Sequence, residues 1–237
     1  MNSPISPGRF EFLPPVVKNM VIINGLFFLG TYVFQTSLGI DLINKLGMHL
    51  PSSEAYGFWQ PITHLFMHGS LEHLIFNMFS FWMFGSILEN VWGSSRFLSF
   101  YVMAGIGAAF LHYLIVFLVD IRPILLSIEN QMVHADALGL VALENQKAAL
   151  LSAPNIIGAS GAVAGIWIAF ATMFPNSYLY LFFFLPVKAK YLAGIYVGFE
   201  LLAALQADPS DNIAHYAHLG GMLFGYVMVR WFHRNDY

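Results

Sequence analysis

The amino-acid sequence predicts an all-α polytopic membrane protein, a bundle of six transmembrane helices, and three observations carry that prediction. Of the 237 residues, 58% are apolar, 16% aromatic and only 10% charged, whereas an ordinary soluble domain is about 25% charged. Apolar stretches near the ~20 residues that a helix needs to cross the hydrocarbon core recur six times along the chain. The cations between them are unevenly shared: Arg9, Lys18, Arg96, Lys188, Lys190, Arg230 and Arg234 fall on one side, and Lys45, Arg122 and Lys147 on the other. By the positive-inside rule this places both termini in the cytoplasm.

Residues 1–15 form a short cytoplasmic segment. With Pro4, Pro7, Pro14, Pro15 and Glu11 ahead of the first apolar stretch, it does not read as a cleavable signal peptide, so the first span is expected to be retained. The membrane domain runs over 16–232, with spans at about 16–38, 62–88, 97–119, 156–174, 191–205 with its flanks, and 213–232, and a tail follows at 233–237. Two outer loops are long, 39–60 and 120–155. In the second, Pro123 suits the first position of a helix, apolar Ile124, Leu125, Ile128 and Met132 follow, and a break near Gly139 precedes another run to Leu151. One or two helices at the membrane interface are expected there. Residues 179–187 are also apolar but are interrupted by Pro186, and read as a structured turn leading into the fifth span. Phe182, Phe183 and Phe184 suit an interfacial or lipid-facing patch.

Several function classes are excluded or disfavoured. Cysteine is absent, which removes disulfides, thiolate metal sites and thiol nucleophiles. The net charge is −3 and there is no basic run, so nucleic acid is not an expected partner. No internal repeat is visible, which disfavours transporters built from inverted repeats.

The candidate chemistry lies near the ends of three spans. Ser160, flanked by Gly158 and Gly161, opens the fourth span, and His218, followed by Gly221 and Gly225, lies early in the sixth. His73 and Asn77, four apart in the second span, share a helical face, and the charge-derived topology places all four residues on the same side. A serine hydroxyl becomes a nucleophile when a neighbouring imidazole takes its proton. Gly161/Gly165 and Gly221/Gly225 each form a G-x-x-x-G, which lets helix backbones approach closely enough for a Ser160–His218 dyad. The Ser160 N–H at a helix start, the Asn77 amide and the His73 ring N–H are candidate donors to an oxyanion. No acid stands near His218 at a helical spacing, Asp211 lying seven residues away in the preceding loop, so no third member is expected.

These segments resemble the rhomboid intramembrane serine proteases over nearly the whole chain, from Val16 to Phe232. In that family a G-x-S-G motif opening the fourth core helix carries the nucleophile, matching Ser160, and a sixth-helix histidine with glycines three and seven residues later is the base, matching His218. The second-helix pattern H-x-x-x-H-x-x-x-x-H-x-x-x-N matches His64, His68, His73 and Asn77, and the resemblance assigns the last two to the oxyanion hole. It implies a rhomboid-like bundle that cleaves transmembrane segments of other membrane proteins through an acyl-enzyme. It further implies no cofactor, small residues at the cut, and a gate for substrate at span five and the 206–212 loop. Because the likeness is to bacterial members, the implied location is the bacterial plasma membrane, with the site opening to the outer side. Two positions depart from the pattern: Trp59-Gln60 stands where Trp-Arg is common, and Ala164 where some members carry an aromatic that packs on the histidine. The 120–155 loop is also longer than in compact members.

Other readings stand beside this one. Ser160 also suits a plain helix-contact residue, and His215 is a rival base without glycines at the same offsets. His64, His68 and His73 suggest a metal site, but on one helix His73 would lie roughly 180° from His64 and about 140° from His68, so none is expected. Glu200 and Glu72 are acids within spans, where ionisable residues are functional candidates; a position one turn from the outer loop also permits snorkelling or a water-filled cavity. An inert client-binding relative and a transporter are the alternatives from other classes.

Overall fold

The structure is a computed structural model that describes residues 10–152, 155–181, 184–206 and 214–235. Phe182, Phe183, Asp211 and the 207–212 part of the expected gate lie outside the described residues. Ten α-helices are described, in order α1 Pro15–Leu38, α2 Leu42–Leu46, α3 Gln60–Thr63, α4 Leu71–Trp92, α5 Ser94–Val116, α6 Arg122–Met132, α7 Ala137–Ser152, α8 Ser160–Met173, α9 Ala189–Gln206 and α10 His215–Asn235. The chain is a helical polytopic membrane bundle in which α1, α4, α5, α8, α9 and α10 take the places of the six stretches. Helix α1, helix α4 and the continuous segment Ser94–Met132 are long and apolar enough to cross a membrane, while α8 is an apolar helix of 14 residues.

Helix α1 lies at the edge of the bundle and leaves Leu26, Leu29 and Tyr32 more than 60% exposed, a lipid-facing surface. Its start is fixed by Glu89 of α4, whose carboxylate accepts the Val16 and Val17 N–H groups, each at 2.9 Å. Those amides have no partner within the helix, and an anion there also meets the positive end of the helix dipole. Ser94 Oγ donates to the same carboxylate at 2.6 Å, joining the α4–α5 turn to α1. That turn passes through Gly93 at φ 79°, a left-handed conformation that glycine adopts without steric cost.

The core has two textures. Aromatic rings fill one end, with Phe81, Phe84, Phe97, Phe100 and Tyr101 almost fully buried. Small residues dominate where α5, α8 and α10 meet. A Cβ on Gly221 would lie 1.8 Å from the Gly161 carbonyl oxygen, and one on Gly225 would lie 2.6 Å from that of Gly165. Gly161 itself faces Ala108 of α5, where an added Cβ would come within 2.5 Å of the alanine methyl. Helices α8 and α10 therefore touch backbone to backbone.

Four sequence expectations are corrected. The second span begins at Leu71 rather than near 62: residues 60–66 form α3 and a 3₁₀ turn, and Ser70 caps α4 by accepting from the His73 N–H at 3.2 Å. The third span does not end at its loop. A π turn, Phe117–Ile121, carries α5 directly into α6, and its i→i−5 pairing accommodates Pro123, which lacks an N–H to donate. The break after α6 falls at Val133–Asp136, before Gly139, with Asp136 accepting from the Gly139 N–H at 2.8 Å. β3 Tyr178–Leu181 pairs antiparallel with β4 Leu185–Lys188, with Tyr180 opposite Pro186; a two-stranded sheet is all edge, where proline is tolerated.

A second small pairing positions the site. β1 Met48–His49 runs antiparallel to β2 Asn155–Ile156, with Met48 opposite Ile156. The Tyr113 hydroxyl of α5 donates to the Met48 carbonyl. Gln60 ties the first long loop to this unit: it is 1% exposed, accepts from the His49 N–H at 3.0 Å and donates to the Lys45 and Ala55 carbonyls at 3.3 and 2.9 Å. The glutamine at the position of the usual Trp-Arg arginine is thus an internal anchor.

Candidate active site

Ser160 is the first residue of α8, at the point where the β2 segment turns into the helix. Gly158 makes that turn at φ 111°, and its N–H donates to the His64 carbonyl at 2.9 Å. The edge of the His73 ring lies against it: a Cβ on residue 158 would sit 2.8 and 2.9 Å from its Cε1 and Nε2. Backbone conformation and the imidazole thus both require glycine.

Ser160, His218, His73 and Asn77 line one cavity of about 770 Å³, together with Tyr196 of α9 and Ile157. Ser160 sits at the N-terminus of α8, where free backbone N–H groups and the helix dipole favour a negative charge. Asn77 is 6% exposed and donates to the His73 carbonyl at 2.9 Å; its amide has a second hydrogen to give. Among the described residues no hydrogen bond joins Ser160 Oγ to His218, and contacts of this type often tighten only in the reacting complex.

His64 and His68 are not on the helix that carries His73. His64 lies in the 3₁₀ turn with Nδ1 2.9 Å from the Gln60 carbonyl. His68 lies in the segment between that turn and α4, and its ring meets that of His73 edge to face at 5.0 Å. The angular argument on one continuous helix therefore does not apply to them.

An acid does stand beside His218, contrary to the sequence expectation. Glu200 projects from α9, with Oε1 2.9 Å from His218 Nδ1 and Oε2 2.6 Å from His215 Nδ1. Glu200 is 4% exposed, so its carboxylate is buried between α9 and α10 rather than snorkelling to the surface. Its contact to His218 crosses from one helix to another and leaves no spacing signal; the signal available was an ionisable residue within a span. At position 164, where an aromatic packs on the histidine in some members, this chain has alanine, and Glu200 holds the ring instead. Among the described residues, Glu200, His215 and His218 bring three ligand atoms within 4.8 Å of one another, a donor set chemically suited to a divalent cation. Ligands on a tetrahedral zinc lie about 3.4 Å apart, so 2.6 and 2.9 Å are hydrogen-bond separations.

Comparison with known proteins adds relatives to this geometry. The Rhomboid domain family model matches residues 55–235. The chain is 25% identical over 208 residues to RHOMBOID-like protein 12, mitochondrial, of Arabidopsis thaliana, covering 87% of this chain and 55% of that protein. It is 29% identical over 174 residues to the human Presenilin-associated rhomboid-like protein, mitochondrial, covering 71% and 36%. Rhomboid protease GluP of Bacillus subtilis is 39% identical over 49 residues, 21% of this chain and 10% of that protein. The chain thus spans about half, or less, of the length of these relatives. The expected bacterial plasma-membrane location is corrected by these matches: the relatives aligned over most of the chain are mitochondrial proteins, and the bacterial one aligns over a short segment.

Proposed function

From the premise that the chain belongs to the rhomboid family, we propose that it is an intramembrane serine endopeptidase that cleaves transmembrane segments of other membrane proteins. The observation that carries this reading is the single cavity lined by Ser160, His218, His73 and Asn77, drawn from three helices. Ser160 attacks the scissile carbonyl while His218 takes the hydroxyl proton and later gives it to the leaving amine. The Ser160 N–H, the His73 ring and the Asn77 amide donate to the oxyanion. Gly158 supports the turn before the serine, and Gly161, Gly221 and Gly225 allow α8 and α10 to approach. Water hydrolyses the acyl-enzyme; the mechanism requires no cofactor or metal.

The partners on this reading are the lipid bilayer and the transmembrane segments of substrate proteins, small at the cut site and prone to unwind. The test is cleavage of a transmembrane test protein by the purified chain in liposomes. Cleavage that disappears in Ser160→Ala supports the reading. Capture of the test protein without cleavage, in wild type and variant alike, would establish the inert client-binding alternative.

A further inference from the structure

Glu200 is a carboxylate with 4% exposure in an otherwise apolar stretch of α9, and placing an acid there is costly unless its oxygens are paired. Both oxygens are given to imidazoles of α10, at 2.9 Å to His218 and 2.6 Å to His215. His215 and His218 are three apart on one helical face, so a single carboxylate reaches both. The register of the two helices is held one turn further along α9, where the Tyr216 hydroxyl donates to the Ala204 carbonyl at 3.1 Å.

We propose that Glu200 is the positioning residue of the site, converting a Ser160–His218 pair into a Ser160–His218–Glu200 triad, with His215 orienting the carboxylate from its other oxygen. The inference rests on the protease reading given above. By accepting the Nδ1–H of His218, Glu200 selects the tautomer whose Nε2 carries the lone pair, and Nε2 is the atom that must receive the serine proton. As the Ser160 Oγ–carbon bond forms, that proton moves to Nε2 and the imidazole becomes a cation facing the carboxylate. When the C–N bond breaks, the proton passes from Nε2 to the leaving amine. Glu200 takes no proton in either step; it orients the ring and stabilises its charged form.

The test uses the purified full chain in liposomes, as wild type, Glu200→Gln, Glu200→Asp and His215→Asn. Turnover of a transmembrane test substrate is expressed per serine titrated to completion with a fluorophosphonate, so unfolded protein is not counted. ¹⁵N-histidine spectra report the His218 tautomer independently of turnover. Glu200→Gln, which keeps shape and removes charge, is expected to lower kcat about 10²-fold or more, with KM within about twofold. Glu200→Asp is expected to recover part of the loss, and His215→Asn to lose about tenfold, less than Glu200→Gln. The wild-type spectrum is expected to show His218 protonated on Nδ1, and Glu200→Gln a mixture of tautomers. A Glu200→Gln enzyme within about threefold of wild type per titrated serine would overturn this inference alone, as would a wild-type His218 protonated on Nε2. If the variants do not fold, the wild-type spectrum decides. A folded wild type without turnover overturns the protease reading, and this inference with it.

Discussion

Gly221 of α10 lies so close to Gly161 of α8 that a Cβ on Gly221 would come within 1.8 Å of the Gly161 carbonyl oxygen. The obstacle is backbone, which cannot rotate away as a side chain would. Because Ser160 precedes this contact by one residue and His218 by three, the distance between the proposed nucleophile and the proposed base is set by how closely the two helices meet. Gly221→Ala is expected to cost about 1–3 kcal/mol or more through overpacking and, by separating Ser160 from His218, to slow fluorophosphonate labelling about 10²-fold. Gly194 of α9, with nothing within 4 Å of an added Cβ, is the control: alanine there is expected to be neutral or stabilising by about 0.5–1 kcal/mol. Thermal unfolding and labelling rates of the two variants, compared side by side, check this. Equal behaviour of the two would remove the close contact from the account.

Gly158→Ala strains the turn before Ser160 and pushes on the His73 ring at once. Left-handed strain costs about 1–3 kcal/mol, which a bundle of this size can tolerate, so the variant should fold. Its cleavage rate should fall more than its unfolding temperature. A variant that loses both in proportion would place Gly158 among purely structural residues.

Asn77→Ala removes an amide from the cavity wall without disturbing the cap of α4, since the cap is made by Ser70. Loss of one oxyanion donor in serine hydrolases costs about 10²–10³ in kcat, and a reduction towards that range with little change in KM is expected here. Steady-state kinetics in liposomes provides the check. A rise in KM at constant kcat would instead assign Asn77 to substrate binding.

Gln60→Ala leaves the His49 N–H and the Lys45 and Ala55 carbonyls without their partner. At about 1 kcal/mol for each hydrogen bond, a loss of roughly 2–3 kcal/mol is expected, seen as a lower unfolding temperature and faster proteolysis of the 39–60 loop. An unchanged protease pattern would show that this loop is held by the β1–β2 pairing instead.

The parts of this architecture that were legible in the sequence are those set by local chemistry. The apolar runs that became α1, α4 and α5 are long enough to be recognised from hydropathy, and the G-x-x-x-G pairs of α8 and α10 mark a close contact through residue size alone. The start of α4 was also available: Gly69-Ser70 ahead of an apolar run is a helix-start signal, outweighed by apolar residues extending back to Ile62. Residues 179–187 read as a structured turn because Pro186 interrupts the apolar run; the strand pairing within it was missed, although Tyr178 and Tyr180 favour strands. Asp120 and Arg122 suggested a helix end that the π turn passes over. Glu200 could not be linked to His218 by spacing, because the contact is made between helices.

The most direct measurement of the central claim is mass-spectrometric mapping of the fluorophosphonate adduct on the purified wild type, Ser160→Ala and His218→Ala proteins. The account requires one adduct, on the peptide containing Ser160, absent in Ser160→Ala and formed far more slowly in His218→Ala. A folded wild type that forms no adduct, or an adduct on another serine that persists in both variants, would contradict it.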